Sequence, residues 1–316
     1  YTVKILITGG SGFIAIDLID KLLSRGDQVI SIDTFVSIEN LTKEKNYDGQ
    51  FKSIISDITN FKDLKKIFSE HQPNKVIHLA AIVGGSSNIN YPIKVLDTNI
   101  KGSLNLFETM RLNGIKRVIH VSSEEVYGNF LTGNIKEDDP KNPYVPYGIS
   151  KLSVEHFGIF HNMQFGLECI NLRTSWVYGV NIKKPRPPMN FLEAALKQEP
   201  LHINIGGDFI ADYTYIDDLI DGILGALDHV NHEFDVYNIA SGVASTDFEV
   251  VERIKVLLPN ADISIGPGRN MFSKNIPIPH KGALNCERAH GSFGYSAKFD
   301  IEKGFQKYIN CWDKKK

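Results

Sequence analysis

Val3-Lys4-Ile5-Leu6-Ile7-Thr8-Gly9-Gly10-Ser11-Gly12-Phe13-Ile14-Ala15 is the stretch whose reading decides the fold. Its first five residues form a short apolar run, suited to a strand buried on both faces of a parallel sheet. Beyond the glycines, Phe13, Ile16, Ile19, Leu22 and Leu23 recur at helical spacing and stop at Arg25-Gly26. Strand, glycine turn and helix in that order are the context that a dinucleotide fingerprint requires. Gly9 permits the tight turn. Gly12 lets the backbone approach a pyrophosphate at the helix N-terminus, where unpaired N–H groups and the helix dipole favour anions. Ala15 stands where a third glycine often sits, and a methyl group is tolerated there. The next strand, Gln28 to Ile32, ends in Asp33. A carboxylate there binds the ribose hydroxyls of NAD and repels the 2′-phosphate of NADP. Thr34-Phe35-Val36 offers no arginine to reverse that choice, so the cofactor expected is NAD.

Working outward, a strand from Phe51 to Ser56 leads into Asp57-Ile58. Asp57 could hold an adenine amino group, or it could cap a helix beginning near Asn60. A strand from Lys75 to Leu79 with Ala80-Ala81, a long helix from about Tyr91 to Asn113, and a strand from Lys116 to Ser122 follow. This alternation predicts an α/β fold built on a doubly wound parallel sheet of Rossmann type. Ligands bind at the carboxyl ends of such strands. That rim carries Gly9 to Gly12, Asp33, Ala80-Ala81 and Ser122-Ser123-Glu124-Glu125. The expected division is a dinucleotide-binding domain over residues 1–174 and a smaller C-terminal α/β substrate region over 175–316, some of whose segments return to the first domain.

Composition narrows the function. A net charge of −2 over 316 residues gives no electrostatic reason to expect nucleic acid or an anionic membrane. Cys169, Cys286 and Cys311 are odd in number and widely spaced, so neither a metal set nor a disulfide framework is read. No apolar run reaches the length of a membrane span. The chain opens on a strand pattern rather than a signal peptide, so a cytoplasmic protein is expected, and the triplet Asn40-Leu41-Thr42 is taken as chance.

Tyr147-Gly148-Ile149-Ser150-Lys151 begins a helical pattern after a run rich in turn residues. Residues four apart share a helix face. A lysine ammonium so placed stabilises a tyrosinate, whose phenol otherwise titrates near about 10, and a tyrosinate is a competent base for a sugar hydroxyl. Alone, the motif is weak. With Thr8 to Ile14, Asp33, Asp57-Ile58, His78 to Ala81, Asn99, Val121 to Ser123, Tyr127-Gly128, Arg173, Tyr178-Gly179, Asp212 to Asp218 and Tyr237 to Ile239, the chain resembles the extended short-chain dehydrogenase/reductase family. These are NAD-dependent epimerases and dehydratases of sugar nucleotides, and the resemblance covers nearly the whole chain.

The resemblance implies that Tyr147 takes a proton from a sugar hydroxyl, that Lys151 lowers its pKa and binds the nicotinamide ribose, and that Ser123 holds the reacting oxygen. It puts Asn99, Phe13, Ile14, Ile58, Leu79, Ala80, Ala81, Ser122 and Tyr147 itself with the cofactor. His78 is read as a hydrogen-bonded buried histidine outside the site. Dehydratases of the family carry Thr-Asp-Glu or Thr-Ser-Glu where this chain has Ser123-Glu124-Glu125. In a dehydratase Glu125 would take the carbon-5 proton and Glu124 would protonate the departing hydroxyl; otherwise one glutamate faces solvent or an ion pair. Lys183, Lys184 and Arg186 lie among prolines, either as an anion clamp or as a solvated loop. Ala211 stands where the family has an arginine for the pyrophosphate, which leaves that charge to Lys183, Lys184, Arg186 or Arg269, or points to a substrate without a nucleotide. The expected protein is thus an NAD-dependent carbohydrate epimerase or dehydratase acting on a sugar nucleotide, dimeric in the family's manner through the two long helices. The rivals are a net dehydrogenase of a free sugar, sugar acid or alcohol, and a non-catalytic NAD-binding protein.

Overall fold

The computed structural model describes residues 3–36, 47, 49–84, 89–182 and 186–313. They fall into two compact units. The first comprises Tyr1–Val126, Pro143–Arg173 and Ala226–Tyr237; the second comprises Tyr127–Asn142, Thr174–Gly225 and Asn238–Lys316.

The apolar runs of the first unit become strands because both of their faces are covered. In chain order they are β1 (Lys4–Thr8), β2 (Gln28–Asp33), β3 (Phe51–Ile55), β4 (Lys75–His78), β5 (Arg117–Ser123), β6 (Glu168–Thr174) and β7 (Val236–Ile239), whose first two residues belong to this unit. They form one seven-stranded parallel sheet in the order β7-β6-β5-β4-β1-β2-β3. Leu6 pairs with Ile30 on one side and Val76 on the other. The chain therefore builds outward from β1 to β3, crosses back to β4 on the other side of β1, and continues outward. Right-handed crossovers in opposite directions put helices on both faces, and the reversal between β1 and β4 opens a crevice at their carboxyl ends. Leu6, Ile30, Ile32, Val76 and Val118 pack with Phe68, Phe107 and Met110 in a core of near-zero exposure. Each such side chain contributes about 1.5–3 kcal/mol over leaving it in water.

Local signals set the helix ends. The helix α1 (Phe13–Ser24) starts at Gly12, which caps it without a side chain. The Phe61–His71 helix is capped by Asn60, whose side chain accepts the Asp63 N–H at 3.2 Å. The cap is therefore Asn60 and not Asp57, whose Oδ1 instead accepts the Thr59 N–H and hydroxyl, each at 2.8 Å. The predicted long helix is an α-helix over Pro92–Leu96, a π-helical turn over Asp97–Lys101 and an α-helix over Gly102–Leu112. The Pro146–Phe165 helix has proline in its first turn and stops at Gly166 with φ 65°.

In the second unit, Ile210–Tyr215 lies between Ala244–Thr246 and Trp176–Tyr178 in a three-stranded sheet. Its core is aromatic: the Tyr178 ring meets Tyr215 at 5.4 Å and Phe305 at 5.7 Å between centroids. The Asp247–Leu257 helix is closed by a reciprocal Thr246–Glu249 capping box. Among the described residues, no helix is long and apolar enough to cross a membrane.

Candidate active site

The rim of the first unit is shaped by its glycines. Gly9 has φ +72°, and a Cβ there would fall 2.7 Å from the Ala80 backbone nitrogen. Only glycine lets the β1 turn pass that close to the end of β4. The Gly12 N–H folds back onto the Gly9 carbonyl at 3.0 Å. No acidic residue occupies the first turn of α1, so its dipole and its first N–H groups are left for an anion. Asp33, at the end of β2, accepts the Ser11 N–H on one oxygen at 2.9 Å and the Thr34 N–H on the other at 2.7 Å. This aims the carboxylate beside the glycine turn; Thr34 Oγ1 also donates to the second oxygen at 3.3 Å, so the lone pair left for a ribose hydroxyl is on the oxygen that Ser11 holds. Leu79, Ala80 and Ala81 are half-buried at the end of β4, and Phe13 and Ile14 are half-buried on α1. Asp57 is exposed, whereas Ile58 is buried and its side chain lies against Gly102. These residues fit a dinucleotide: a cradle that a Cβ would fill, an uncapped helix N-terminus, and an acidic acceptor one strand away.

A chain of hydrogen bonds ties this rim to the Tyr147 helix. Thr8 Oγ1 and His78 Nδ1 are 2.6 Å apart, and His78 Nε2 and Ser103 Oγ are 2.8 Å apart. Ser103 in turn donates to the Asn99 carbonyl. His78 is fully buried, and burial followed by the nearby Lys151 charge pushes it down to about 3, so it is a neutral structural link. The π-turn rotates Asn99 inward. Its Oδ1 accepts the Ile82 N–H at 2.7 Å, and its Nδ2 donates to the Ile82 carbonyl at 3.0 Å and to Ser150 Oγ at 2.9 Å. Ser150 donates to the Tyr147 carbonyl at 2.7 Å. Asn99 thus holds the loop after β4 and the first turn of the Tyr147 helix together. Such insertions recur where a helix must present a functional side chain.

Tyr147 is half-buried on that first turn, and the Lys151 ammonium lies 5.9 Å from its ring centroid. Lys151 Nζ donates to the Val121 carbonyl at 2.7 Å and lies 3.4 Å from His120 Nε2. Burial lowers Lys151 to about 8, with the Glu155 carboxylate pulling it back up. Glu155 sits one helical turn further on. It accepts from Ser122 Oγ at 2.6 Å and from Arg173 at 3.0 and 2.7 Å. Ser123 Oγ accepts the Glu125 N–H at 3.2 Å, which leaves its hydroxyl proton to donate. Glu124 is buried and Glu125 half-buried, in a 3₁₀ turn over Glu124–Tyr127. A Cβ on Gly148 would fall 2.6 Å from the Glu125 carbonyl oxygen, so glycine lets the Tyr147 turn lie directly on the Ser123–Glu125 segment. A base, a cation and a hydroxyl gathered in this way suit proton removal from an alcohol being oxidised.

Of the cations in the second half of the chain, Lys183 and Lys184 lie outside the described residues. Arg186, in the second unit, stacks its guanidinium on the Trp176 indole at 4.5 Å. Trp176 in turn meets Phe209 at 5.0 Å and Tyr213 at 6.3 Å. By strand alternation these two share a face with the fully buried Ala211. The small residue at 211 therefore goes with a bulky indole across the same face. Arg269 donates to the Ile278 and Pro279 carbonyls at 3.1 and 2.8 Å, which ties it to its own loop. The roles of His120, Ser150 and Glu155 escape a motif reading. Only the four-residue spacing of Lys151 and Glu155 marks one of them in advance.

The model of the NAD-dependent epimerase/dehydratase family matches residues 5–240. The UDP-glucuronate 4-epimerase of Thermodesulfobacterium geofontis is 29% identical, over 98% of this chain and 95% of that protein. The crystal structure of UDP-glucose 4-epimerase with UDP-glucose from Thermotoga maritima superposes with a TM-score of 0.88 at 29% identity, covering 99% of each chain. The dTDP-glucose 4,6-dehydratase of Bacillus anthracis, crystallised with NAD, gives 0.85 at 25% identity over 99% of this chain and 97% of the other. The chain belongs to the NAD-dependent epimerase/dehydratase family. Its cofactor is NAD.

Proposed function

We propose that the protein is a sugar-nucleotide 4-epimerase that works through a transient 4-keto sugar. The observation that carries this reading is Tyr147 and Lys151 one turn apart on one face of the helix, with Gly148 laying its first turn against the segment after Ser123. Tyr147 takes the proton of the substrate hydroxyl and later returns one to the keto oxygen. Lys151 holds positive charge beside it and contacts the nicotinamide ribose. Ser123 donates to the reacting oxygen, and so fixes it against Tyr147. Bound NAD supplies a hydride acceptor that gives the hydride back, so no net redox change results. Gly9, Gly12, Phe13 and Ile14 cradle the pyrophosphate, Asp33 takes the adenosine ribose, and Asp57 and Ile58 flank the adenine. Leu79, Ala80, Ala81, Asn99 and Ser122 complete the cofactor wall. The second unit carries the substrate region, with Arg186 on Trp176 meeting the diphosphate in place of the arginine absent at 211, aided by Lys183 and Arg269.

A second reading, dehydration, is favoured by the two consecutive carboxyls of the Glu124–Tyr127 turn, one of them buried. In it Glu125 takes the carbon-5 proton and Glu124 protonates the departing hydroxyl. The working molecule is a cytoplasmic homodimer, with neither nucleic acid nor a membrane as partner. Incubation with UDP-glucose, UDP-glucuronate or dTDP-glucose, followed by chromatography and NMR of the products, tests the proposal. A 4-epimer without NADH accumulation is expected, and Arg186→Ala should raise KM more than it lowers kcat. Steady NADH release would make the protein a net dehydrogenase. Inert sugar nucleotides with NAD still bound would make it a non-catalytic NAD-binding protein.

A further inference from the structure

Two fully buried histidines, His78 and His120, stack at 5.5 Å between centroids beneath the Lys151 ammonium. The first is accounted for as a link between β1, β4 and the π-turn. The second touches neither the glycine turn nor Ser123 or Tyr147. We infer that His120 is a positioning residue: held as one neutral tautomer by Asn171, it turns the lone pair of Nε2 toward Lys151 and, with the Val121 carbonyl, sets where that ammonium stands beside Tyr147.

The tautomer follows from the partners. Asn171 Nδ2 donates to the Asp235 carbonyl at 3.1 Å and to the Cys169 carbonyl at 3.5 Å. Its Oδ1 therefore faces His120 Nδ1, 2.8 Å away, and must accept from it. That leaves Nε2 without a proton, 3.4 Å from Lys151 Nζ. The charged and titratable groups around it come from three elements. On β4 there is His78, neutral. On β6 there is Cys169, whose thiol burial pushes up and which therefore stays protonated. On the Tyr147 helix there are Lys151 and, a turn further, Glu155, which is paired with Arg173 of β6. An imidazolium at 120 would stand against the Lys151 charge in a dry site. Burial first, then Lys151 and His78, hold it well below the ordinary imidazole range. A buried ammonium needs acceptors to remain charged. Val121 and His120 meet two of its three protons, and the third is left for the side of Tyr147 and the ribose. Phenylalanine at 120 would keep the ring and remove the acceptor, so Lys151 would lose its proton more easily and stabilise the tyrosinate less.

The inference rests on the Tyr147–Lys151 reading, and the experiment separates the two. The tyrosinate of Tyr147 is titrated by ultraviolet difference absorbance in the NAD-loaded protein without substrate, with Tyr147→Phe as the blank. His120→Phe should raise the midpoint by about half a unit to one unit, the size of losing one hydrogen bond to the charged form. His120→Gln, which restores an acceptor, should return it most of the way. With UDP-glucose as substrate, the acid limb of kcat should move up in parallel while KM stays near wild type. Should His120→Phe not fold, Asn171→Leu frees the tautomer and should move the midpoint in the same direction by less. A folded His120→Phe, or failing that a folded Asn171→Leu, with an unmoved midpoint overturns the inference when Lys151→Met does move it. If Lys151→Met leaves it unmoved as well, the Tyr147–Lys151 reading falls first.

Discussion

Tyr147, Lys151 and Asp33 each make a quantitative demand. Tyr147→Phe removes the base, and its ring is not needed to hold the cofactor. Turnover of a sugar nucleotide should fall 10²–10⁴-fold, as for other general acid–base groups, while NAD remains bound; near-normal turnover would place the chemistry elsewhere. Lys151 is charged where burial disfavours charge. Its folded pKa of about 8 lies below its ordinary value of 10.5. A folded-state pKa lowered in this way makes the ammonium a destabilising group. The penalty is fully present below pH 8, and is relieved as pH rises from about 8 toward 10.5, where the unfolded chain binds more protons. Lys151→Met should therefore be inactive yet more stable at pH 7, by up to roughly 3 kcal/mol, with the gain shrinking across that window. A thermal melt series in the absence of NAD reads this directly, and a less stable Lys151→Met at every pH would refute it. The proposed place of Asp33 at the adenosine ribose makes a demand on cofactor choice. NAD should bind at least about tenfold tighter than NADP, or about 1.4 kcal/mol, and calorimetry showing equal affinities would remove Asp33 from the ribose site.

At the scale of the element, the Pro146–Phe165 helix and the π-turn carry the residues proposed for the chemistry. Gly148 is the contact between that helix and the Ser123–Glu125 segment, where a Cβ would meet backbone at 2.6 Å. Backbone cannot swing aside as the end of a side chain can. Gly148→Ala should push the first helical turn outward, cost about 1–3 kcal/mol of stability as overpacking does, and lower kcat well beyond what the stability loss explains. A variant with normal kcat would show that the close approach is not needed for the reaction. Asn99 illustrates what an element adds to a motif. The sequence marks it as a cofactor residue, but the hydrogen bonds to Ile82 and Ser150 show that it also fastens the Tyr147 turn to the loop after β4. Asp212 does similar work in the second unit, where it accepts from Ser241, Gly242 and Leu284 backbone N–H groups at 3.0–3.1 Å.

For the whole molecule, the first unit leaves apolar side chains in the open on two of its helices. On the Pro146–Phe165 helix, Ile149, Phe157, Phe160 and Met163 share one face, with Met163 85% exposed. Ile93, at the start of the other long helix, is 76% exposed. A patch of this kind marks an interaction surface, and a two-fold dimer is its simplest closure. Sedimentation should find a dimer in wild type and a monomer in Phe160→Glu with Met163→Glu. A monomeric wild type at micromolar concentration would end the dimer proposal.

The sequence alone determined the parallel sheet, the glycine turn, the acidic end of the second strand, and the Tyr147–Lys151 spacing. All of these depend on residues close together in the chain or on a repeating apolar period. What the tertiary structure decided depends on residues far apart in the chain. Lys151 meets Val121 and His120, and Asn99 meets Ser150. Trp176 lies under the Arg186 guanidinium and meets Phe209 edge-on. No local pattern encodes such pairs, because burial and the direction of each side chain are set only once the strands and helices have packed.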